Sequence, residues 1–181
     1  MAAAQIFLSG DPVFFRRVRR VLAALPPLTG RPIRIQKGPG LRDRHGEVHA
    51  GSFLRERRIV FNCRARDFPR IFVHEVFHFV WMRLGNRWRR SWETLLKEEL
   101  EERARGELGW SAEWRKAELT GKDRLRRTRR WREYCCESFC DTAAWLYAGA
   151  GSNEEFTLPR RWREGRGLWF SRTVDRDGLS I

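Results

Sequence analysis

Apolar residues recur every three or four positions in residues 11–25, and this spacing predicts an amphipathic helix. Arginines occupy the opposite side of that helix, which we expect to be exposed. Asp11 can cap its N-terminus, Pro12 suits its first turn, and Pro26 ends it. The N-terminal part of the sequence therefore contains one well-delimited helix.

The period of the pattern shortens over residues 31–62, as is typical of strands. Strands are predicted at residues 31–35 and 58–62, and a further one lies between Glu47 and Leu54. The sequence Gly38-Pro39-Gly40 forces a turn after residues 31–35. Together they predict a small mixed sheet that is antiparallel in part.

A buried helix is predicted from Asp67, a candidate cap, to Gly85, which stops it. Its apolar residues lie nearly all round the helix, so we expect neighbouring elements to cover it on every side. Three more helices are predicted over residues 91–105, 111–119 and 123–148. The order of helix, small sheet and helical half indicates an α+β fold in a single domain.

Residues 152–181 are predicted to form a loop-rich tail with one strand from Leu168 to Val174. The tail carries bulky aromatic side chains, among them Trp162, Trp169 and Phe170. One hypothesis is therefore that the tail covers a cleft elsewhere in the protein and inhibits it.

The buried helix contains His74-Glu75-Val76-Phe77-His78, which matches the pattern HExxH. Residues four apart lie on one face of a helix with Cβ atoms about 6 Å apart, so both imidazoles can bind one metal ion. Glu75 is offset from His74 and can reach a water molecule on that ion. Two histidines and a glutamate on an apolar helix are costly to bury without a partner, and a metal supplies one. Zinc suits these ligand types best.

A tetrahedral zinc site with one open position needs a third protein ligand. His45 and His49 lie upstream, and no histidine follows His78. Glu137 is the best downstream candidate, because Asp141 lies one turn later on the same predicted helical face. Glu137 can bind the metal while Asp141 accepts a hydrogen bond from a ligand histidine. The alternative is that Glu137 is an ordinary surface acid near arginines.

An HExxH helix followed by an ExxxD helix resembles the gluzincins, the thermolysin-like zinc peptidases, and most closely their single-domain members, the minigluzincins. The resemblance covers the two motifs and the order of the elements. It implies a zincin-like fold in which His74, His78 and Glu137 bind zinc. It also implies that Glu75 is the catalytic base and that Asp141 supports His74.

Two further features of this family have no clear motif here. The residue that steadies the oxyanion is not recognisable, and Tyr134, one turn before Glu137, is a weak candidate. In such folds an edge strand beside the cleft pairs with the extended substrate. By its position, the segment from Glu47 to Leu54 suits that part.

The cysteines offer a rival metal site. Cys136 and Cys140 share one face of the predicted helix and, with the two histidines, could form a closed structural zinc site. Cysteine is more often a small buried hydrophobic residue, so this hypothesis is the weaker one. Three of the four cysteines crowd onto one helix, which does not suit a secreted disulfide framework and favours a reducing cytoplasm.

The formal net charge is +14, and nearly all of the excess is arginine. Composition bias explains this charge, and attraction to nucleic acid or to an acidic partner is the alternative. The arginines are scattered over most segments, which argues against one dedicated nucleic-acid face. The segment from Met1 to Leu8 does not resemble a signal peptide, and no apolar run is long enough to span a bilayer. We therefore expect a cytoplasmic protein.

Two functional hypotheses follow. In the first, the protein is a zinc metallopeptidase that hydrolyses peptide or protein substrates, with Glu75 as general base. In the second, it is a basic nucleic-acid-associated or regulatory protein whose zinc site is structural or vestigial.

Overall fold

The computed structural model describes residues 3–43, 46–149, 151–174 and 179–181. In these residues the chain has an α+β fold, with a strand-rich first third followed by helices. The strands are β1 (Ile6–Ser9), β2 (Leu28–Thr29), β3 (Ile33–Lys37), β4 (Leu41–Asp43), β5 (Gly46–Val48), β6 (Ala50–Phe53), β7 (Arg58–Phe61) and β8 (Leu179–Ser180). The helices are α1 (Pro12–Ala24), α2 (Phe68–Arg83), α3 (Asn86–Glu101), α4 (Trp110–Ala117), α5 (Gly121–Arg126), α6 (Arg129–Tyr147) and α7 (Arg160–Thr173).

The main sheet has four strands in the order β1-β3-β7-β6. Strands β1, β3 and β7 are parallel, whereas β6 runs antiparallel to β7. Because β6 is last in this order, one of its edges has no strand partner among the described residues. Two smaller sheets pair β2 with β8 and β4 with β5. The prediction of a small mixed sheet is confirmed.

The boundaries of the N-terminal elements follow the sequence signals closely. Helix α1 begins at Pro12, and the Asp11 Oδ1 atom accepts a hydrogen bond from the Phe14 backbone N–H at 2.8 Å, as a capping residue does. The segment from Glu47 to Leu54 contains β6 and the end of β5 rather than one strand. Strand β1 was not predicted, because four residues before a helix give too little alternation to recognise.

Helix α2 lies at the centre of the molecule, as its apolar surface predicts. It packs against α6 along most of its length and also contacts α1 and β6. Asp67 precedes α2, but its side chain makes no capping hydrogen bond. The predicted helix over 123–148 is divided into α5 and α6 at Arg127, which has a left-handed backbone (φ 48°) and donates to the Glu93 carboxylate.

The prediction of a loop-rich tail with a strand from Leu168 to Val174 is wrong, because α7 spans this region. Gly165 and Gly167 weaken the local helical signal. Tertiary contacts outweigh them: Arg166 is fully buried and forms ion pairs of 2.7 Å with two glutamates, Glu99 on α3 and Glu107 before α4. A sequence pattern carries no trace of such long-range pairs.

The aromatic residues of the tail pack into the protein instead of covering a cleft. Phe170 stacks on Phe139 with ring centroids 4.9 Å apart, and Trp169 lies edge-on to Trp92 at the same distance. Trp162 packs against a second, smaller apolar cluster. These contacts make α7 part of the core and remove the basis for an inhibitory tail. Among the described residues, no helix is long and apolar enough to cross a membrane.

Candidate metal centre

Helices α2 and α6 bring three ligand-type side chains together. The Nε2 atom of His74 lies 3.2 Å from Nε2 of His78 and 3.3 Å from Oε2 of Glu137. In a tetrahedral zinc site, with Zn–N and Zn–O distances of about 2.0 to 2.2 Å, neighbouring ligand atoms lie about 3.3 to 3.5 Å apart. Both distances are close to what a zinc ion requires, and the three ligand atoms all lie within 4.8 Å of one another.

Asp141 decides which nitrogen of His74 faces this cluster. Its Oδ1 atom lies 2.7 Å from His74 Nδ1, and its Oδ2 atom accepts a hydrogen bond from the Ala112 N–H at 3.1 Å. An ionised carboxylate only accepts, so Nδ1 of His74 carries the proton when the ring is neutral and Nε2 offers its lone pair to the cluster. Gly109, at the start of α4, makes room for this contact, because a Cβ atom there would collide with the Asp141 carboxylate.

The electrostatics of the ligands favour a bound cation. Burial acts to lower the pKa of both histidines, but the Asp141 and Glu137 carboxylates raise that of His74 well above its usual value. Cys136 and Glu137 raise the pKa of His78 to about 9. Burial acts to raise the pKa of Glu137, whereas the hydrogen bond to His74 and the charges of both histidines lower it to about 2. The ligand cluster therefore favours positive charge, which protons or a metal ion can supply.

A cleft of about 490 Å³ opens onto the three ligands. It is lined by the α2 motif, by β5, β6 and the residue after it, by one face of α4 and by Glu137; the residues are Glu47, Val48, Gly51, Ser52, Leu54, His74, Glu75, His78, Ser111, Trp114, Arg115 and Glu137. No protein-family model, curated protein or solved structure matches this chain. The chemistry of the centre is therefore deduced from its donors, their distances and this cleft.

Glu75 lines the same cleft and is held by the edge strand. The Ser52 hydroxyl on β6 lies 2.6 Å from Glu75 Oε2 and 2.9 Å from the Glu75 carbonyl oxygen. A hydroxyl has one proton, and the shorter contact shows that it donates to the carboxylate. No sequence signal points to Ser52, since a serine in a short strand has no motif of its own.

Arg115 is a second residue of the cleft that no sequence motif marks. Its Nη2 atom lies 3.4 Å from Glu137 Oε1, and its Nη1 donates to the Ser111 carbonyl oxygen at 2.7 Å. The guanidinium also stacks over the Trp114 ring at 4.2 Å. Arg115 thereby contacts the carboxylate oxygen of Glu137 that does not face His74. Only the tertiary packing of α4 on α6 brings it there.

Tyr134 does not line the cleft, so its assignment as a candidate oxyanion stabiliser is corrected. The side chain is fully buried, and its hydroxyl donates to Glu107 Oε1 at 2.6 Å. One turn of helix separates Tyr134 from Glu137, but its side chain is committed to the buried network around Arg166. His49 is exposed and lies outside the cleft, and His45 lies outside the described residues.

The cysteine pair also lies at the centre, on the far side of the His78 ring. The sulfur atoms of Cys136 and Cys140 each lie 3.5 Å from Nδ1 of His78, whereas Nε2 of the same ring faces His74. His78 therefore belongs to two groups of potential metal ligands, one with His74 and Glu137 and one with the two thiols.

Proposed function

We propose that the protein is a zinc-dependent peptidase of the gluzincin type, with His74, His78 and Glu137 as its zinc ligands. The observation that supports this most strongly is the convergence of the two Nε2 atoms and Glu137 Oε2 at 3.2 and 3.3 Å beneath an open cleft. Zinc bound there would polarise a substrate carbonyl group and acidify a water molecule. Under this proposal the fold is zincin-like.

Glu75 is the general base of the proposed reaction. Its carboxylate lines the cleft beside both histidines, and the Ser52 hydroxyl fixes its orientation. It accepts a proton from the attacking water and delivers that proton to the leaving amine. Asp141 holds His74 in the tautomer that presents Nε2 to the ligand cluster, with the hydrogen bond of 2.7 Å to Nδ1.

The substrate class follows from the shape of the cleft. In the part of the chain that the structure describes, β6 has an edge without a strand partner beside Glu75, and an extended peptide can pair with such an edge through backbone hydrogen bonds. Among the described residues that line the cleft, Arg115 is the one permanent cation. Its positive charge suits stabilisation of the negative oxygen that develops on the substrate. Tyr134 was the sequence-based candidate for this role.

The first experiment measures metal content on protein prepared without a metal-binding affinity tag. The measurement is made on Cys136→Ser/Cys140→Ser, so that the neighbouring thiols bind no metal: this protein should contain about one zinc per chain by elemental analysis, and the addition of Glu137→Ala should remove it or weaken its binding strongly. Glu133→Ala is the matched control, because Glu133 lies one turn earlier on α6 and forms an ion pair with the exposed Arg129. Zinc that survives Glu137→Ala unchanged in this background would show that Glu137 is not the third ligand. No zinc in fresh wild type would overturn the proposal.

The second experiment tests catalysis. Wild type and Glu75→Gln are incubated with a library of unstructured peptides, and new termini are identified by mass spectrometry. Glu75→Gln should keep its zinc and lose cleavage, because the amide cannot accept the proton. Cleavage that persists in the variant removes Glu75 from the reaction.

The rival proposal, a basic nucleic-acid-associated protein, is supported by the net charge of +14 alone. It predicts binding to DNA or RNA that weakens steeply with salt and is unaffected by Glu75→Gln. Such binding together with an inactive wild type would favour the rival.

A further inference from the structure

The environment behind His78 differs from that behind His74. Metal-binding histidines usually donate their second ring N–H to a carboxylate or a carbonyl oxygen, and His74 does so through Asp141. His78 instead presents Nδ1 to two sulfur atoms, those of Cys136 and Cys140, each at 3.5 Å. The three ligand atoms lie within 4.8 Å of one another. Two thiols and one imidazole that converge in this way are unusual for cysteines that serve packing alone.

The distances fit a metal ion. With a Zn–S distance of about 2.3 Å and a Zn–N distance of about 2.0 to 2.1 Å, tetrahedral geometry places sulfur and nitrogen ligands about 3.5 to 3.6 Å apart. Both observed contacts have this length. Cys136 and Cys140 are one turn apart on α6, which gives them a common direction toward His78.

We infer that Cys136, Cys140 and Nδ1 of His78 form a second metal site, which takes a thiophilic ion. Soft thiolate ligands select ions such as zinc, cadmium or monovalent copper over magnesium or calcium. The ion displaces the two thiol protons to solvent and forms two bonds to sulfur and one to nitrogen. This site is distinct from the one formed by His74 and Glu137, and it does not depend on the proposed peptidase activity.

The two sites compete for one imidazole. A neutral histidine has a single lone pair, at Nδ1 or at Nε2, and His78 faces one donor set with each nitrogen. An ion on the thiolate side therefore withdraws the lone pair that the Glu137 side needs, and the positive charge of each ion opposes binding of the other. A thiophilic ion thus weakens zinc binding at the first site.

Cadmium is the probe that separates the sites, because thiolate-to-cadmium charge transfer absorbs in the ultraviolet and a histidine–carboxylate site gives no such band. The metal-free protein is titrated with Cd²⁺ under reducing conditions that do not compete for the ion. Glu137→Ala, in which the first site is disabled, should show the band and saturate near one equivalent. Cys136→Ser/Cys140→Ser should lose the band and still bind zinc at the first site.

Two controls keep the inference open to refutation. Cys63→Ser removes a thiol outside the cluster and should leave the titration unchanged. His78→Ala keeps both thiols and should weaken cadmium binding, because it removes the nitrogen ligand. The second site is refuted if Glu137→Ala shows no charge-transfer band, or if the band is undiminished in Cys136→Ser/Cys140→Ser. Cadmium binding that His78→Ala leaves unchanged reduces the site to a simple dithiol and overturns the three-ligand assignment.

Discussion

Replacement of Asp141 by asparagine tests how the metal centre is built. The carboxylate accepts from two donors at once, His74 Nδ1–H through Oδ1 at 2.7 Å and the Ala112 N–H through Oδ2 at 3.1 Å. An asparagine amide has one acceptor oxygen and one donor nitrogen. In the same geometry it can therefore satisfy one of these N–H groups and must turn its NH₂ group toward the other.

Both possible orientations of the amide have a measurable cost. If the amide nitrogen faces His74, the ring is driven to the tautomer that presents Nε2–H to the ligand cluster, and zinc loses a ligand. If it faces Ala112, a buried N–H in the first turn of α4 loses its acceptor. Changes behind a metal-binding histidine typically weaken metal affinity by about 10- to 100-fold, which corresponds to about 1.4 to 2.7 kcal/mol. An unpaired buried donor lowers the free energy of unfolding by about 1 to 3 kcal/mol.

The assay is competition for zinc with a chromogenic chelator, together with urea unfolding of the metal-free protein. Asp123→Asn is the matched control, since Asp123 is also buried and accepts hydrogen bonds from Thr120 and Thr128, and it lies on α5, which carries none of the ligands. We expect that control to lose stability and to keep wild-type zinc affinity. Wild-type zinc affinity in Asp141→Asn would refute the role of Asp141, and a stability loss alone would reduce it to a support for α4.

Two other predictions concern protons and the buried ion pairs. Because the pKa of His78 is raised to about 9 and that of His74 is also raised, zinc should displace protons from these rings near neutral pH, and its affinity should rise as the pH rises toward 9. Calorimetry in buffers of different ionisation enthalpy measures the proton release, and an absence of release would contradict the assignment. Arg166→Ala removes the ion-pair partner of the buried Glu99 and leaves the buried Glu107 with Lys116 as its ion-pair partner, and it should lower the free energy of unfolding by about 3 to 5 kcal/mol. Arg160→Ala breaks an exposed ion pair and should change the free energy of unfolding little. Urea unfolding measures both variants, and equal losses of stability would contradict this account.

The sequence predicted the elements whose signals are local. Helix α2 combines a long apolar pattern with HExxH, so its position and its burial could both be inferred. Glu137 and Asp141 could be paired because they are four apart on one helix, and the structure places both beside His74. The start of α5 also had a local signal, since Thr120 and Asp123 form a capping box there.

What the sequence did not predict depends on contacts between distant segments. Ser52 meets Glu75, and Arg115 meets Glu137, only after β6 and α4 have packed around α2 and α6. Helix α7 was missed because its stability comes from the buried Arg166 and from core packing rather than from its own composition. No periodicity in a single segment reports such pairs.

The arrangement of the centre depends on how α6 is rotated about its axis. Cys136 and Cys140 precede Glu137 and Asp141 by one residue each, so the two pairs occupy neighbouring helical faces about 100° apart. The aromatic packing of Phe139 fixes the rotation, because its ring stacks on Phe170 and lies against Phe77 and Trp81 in the core. That anchor directs the carboxylates toward His74 and the thiols toward His78. Since one helix face serves each histidine, a small rotation of α6 would move both ligand sets at once, and the identity of the metal ligands depends on the core as much as on the motif.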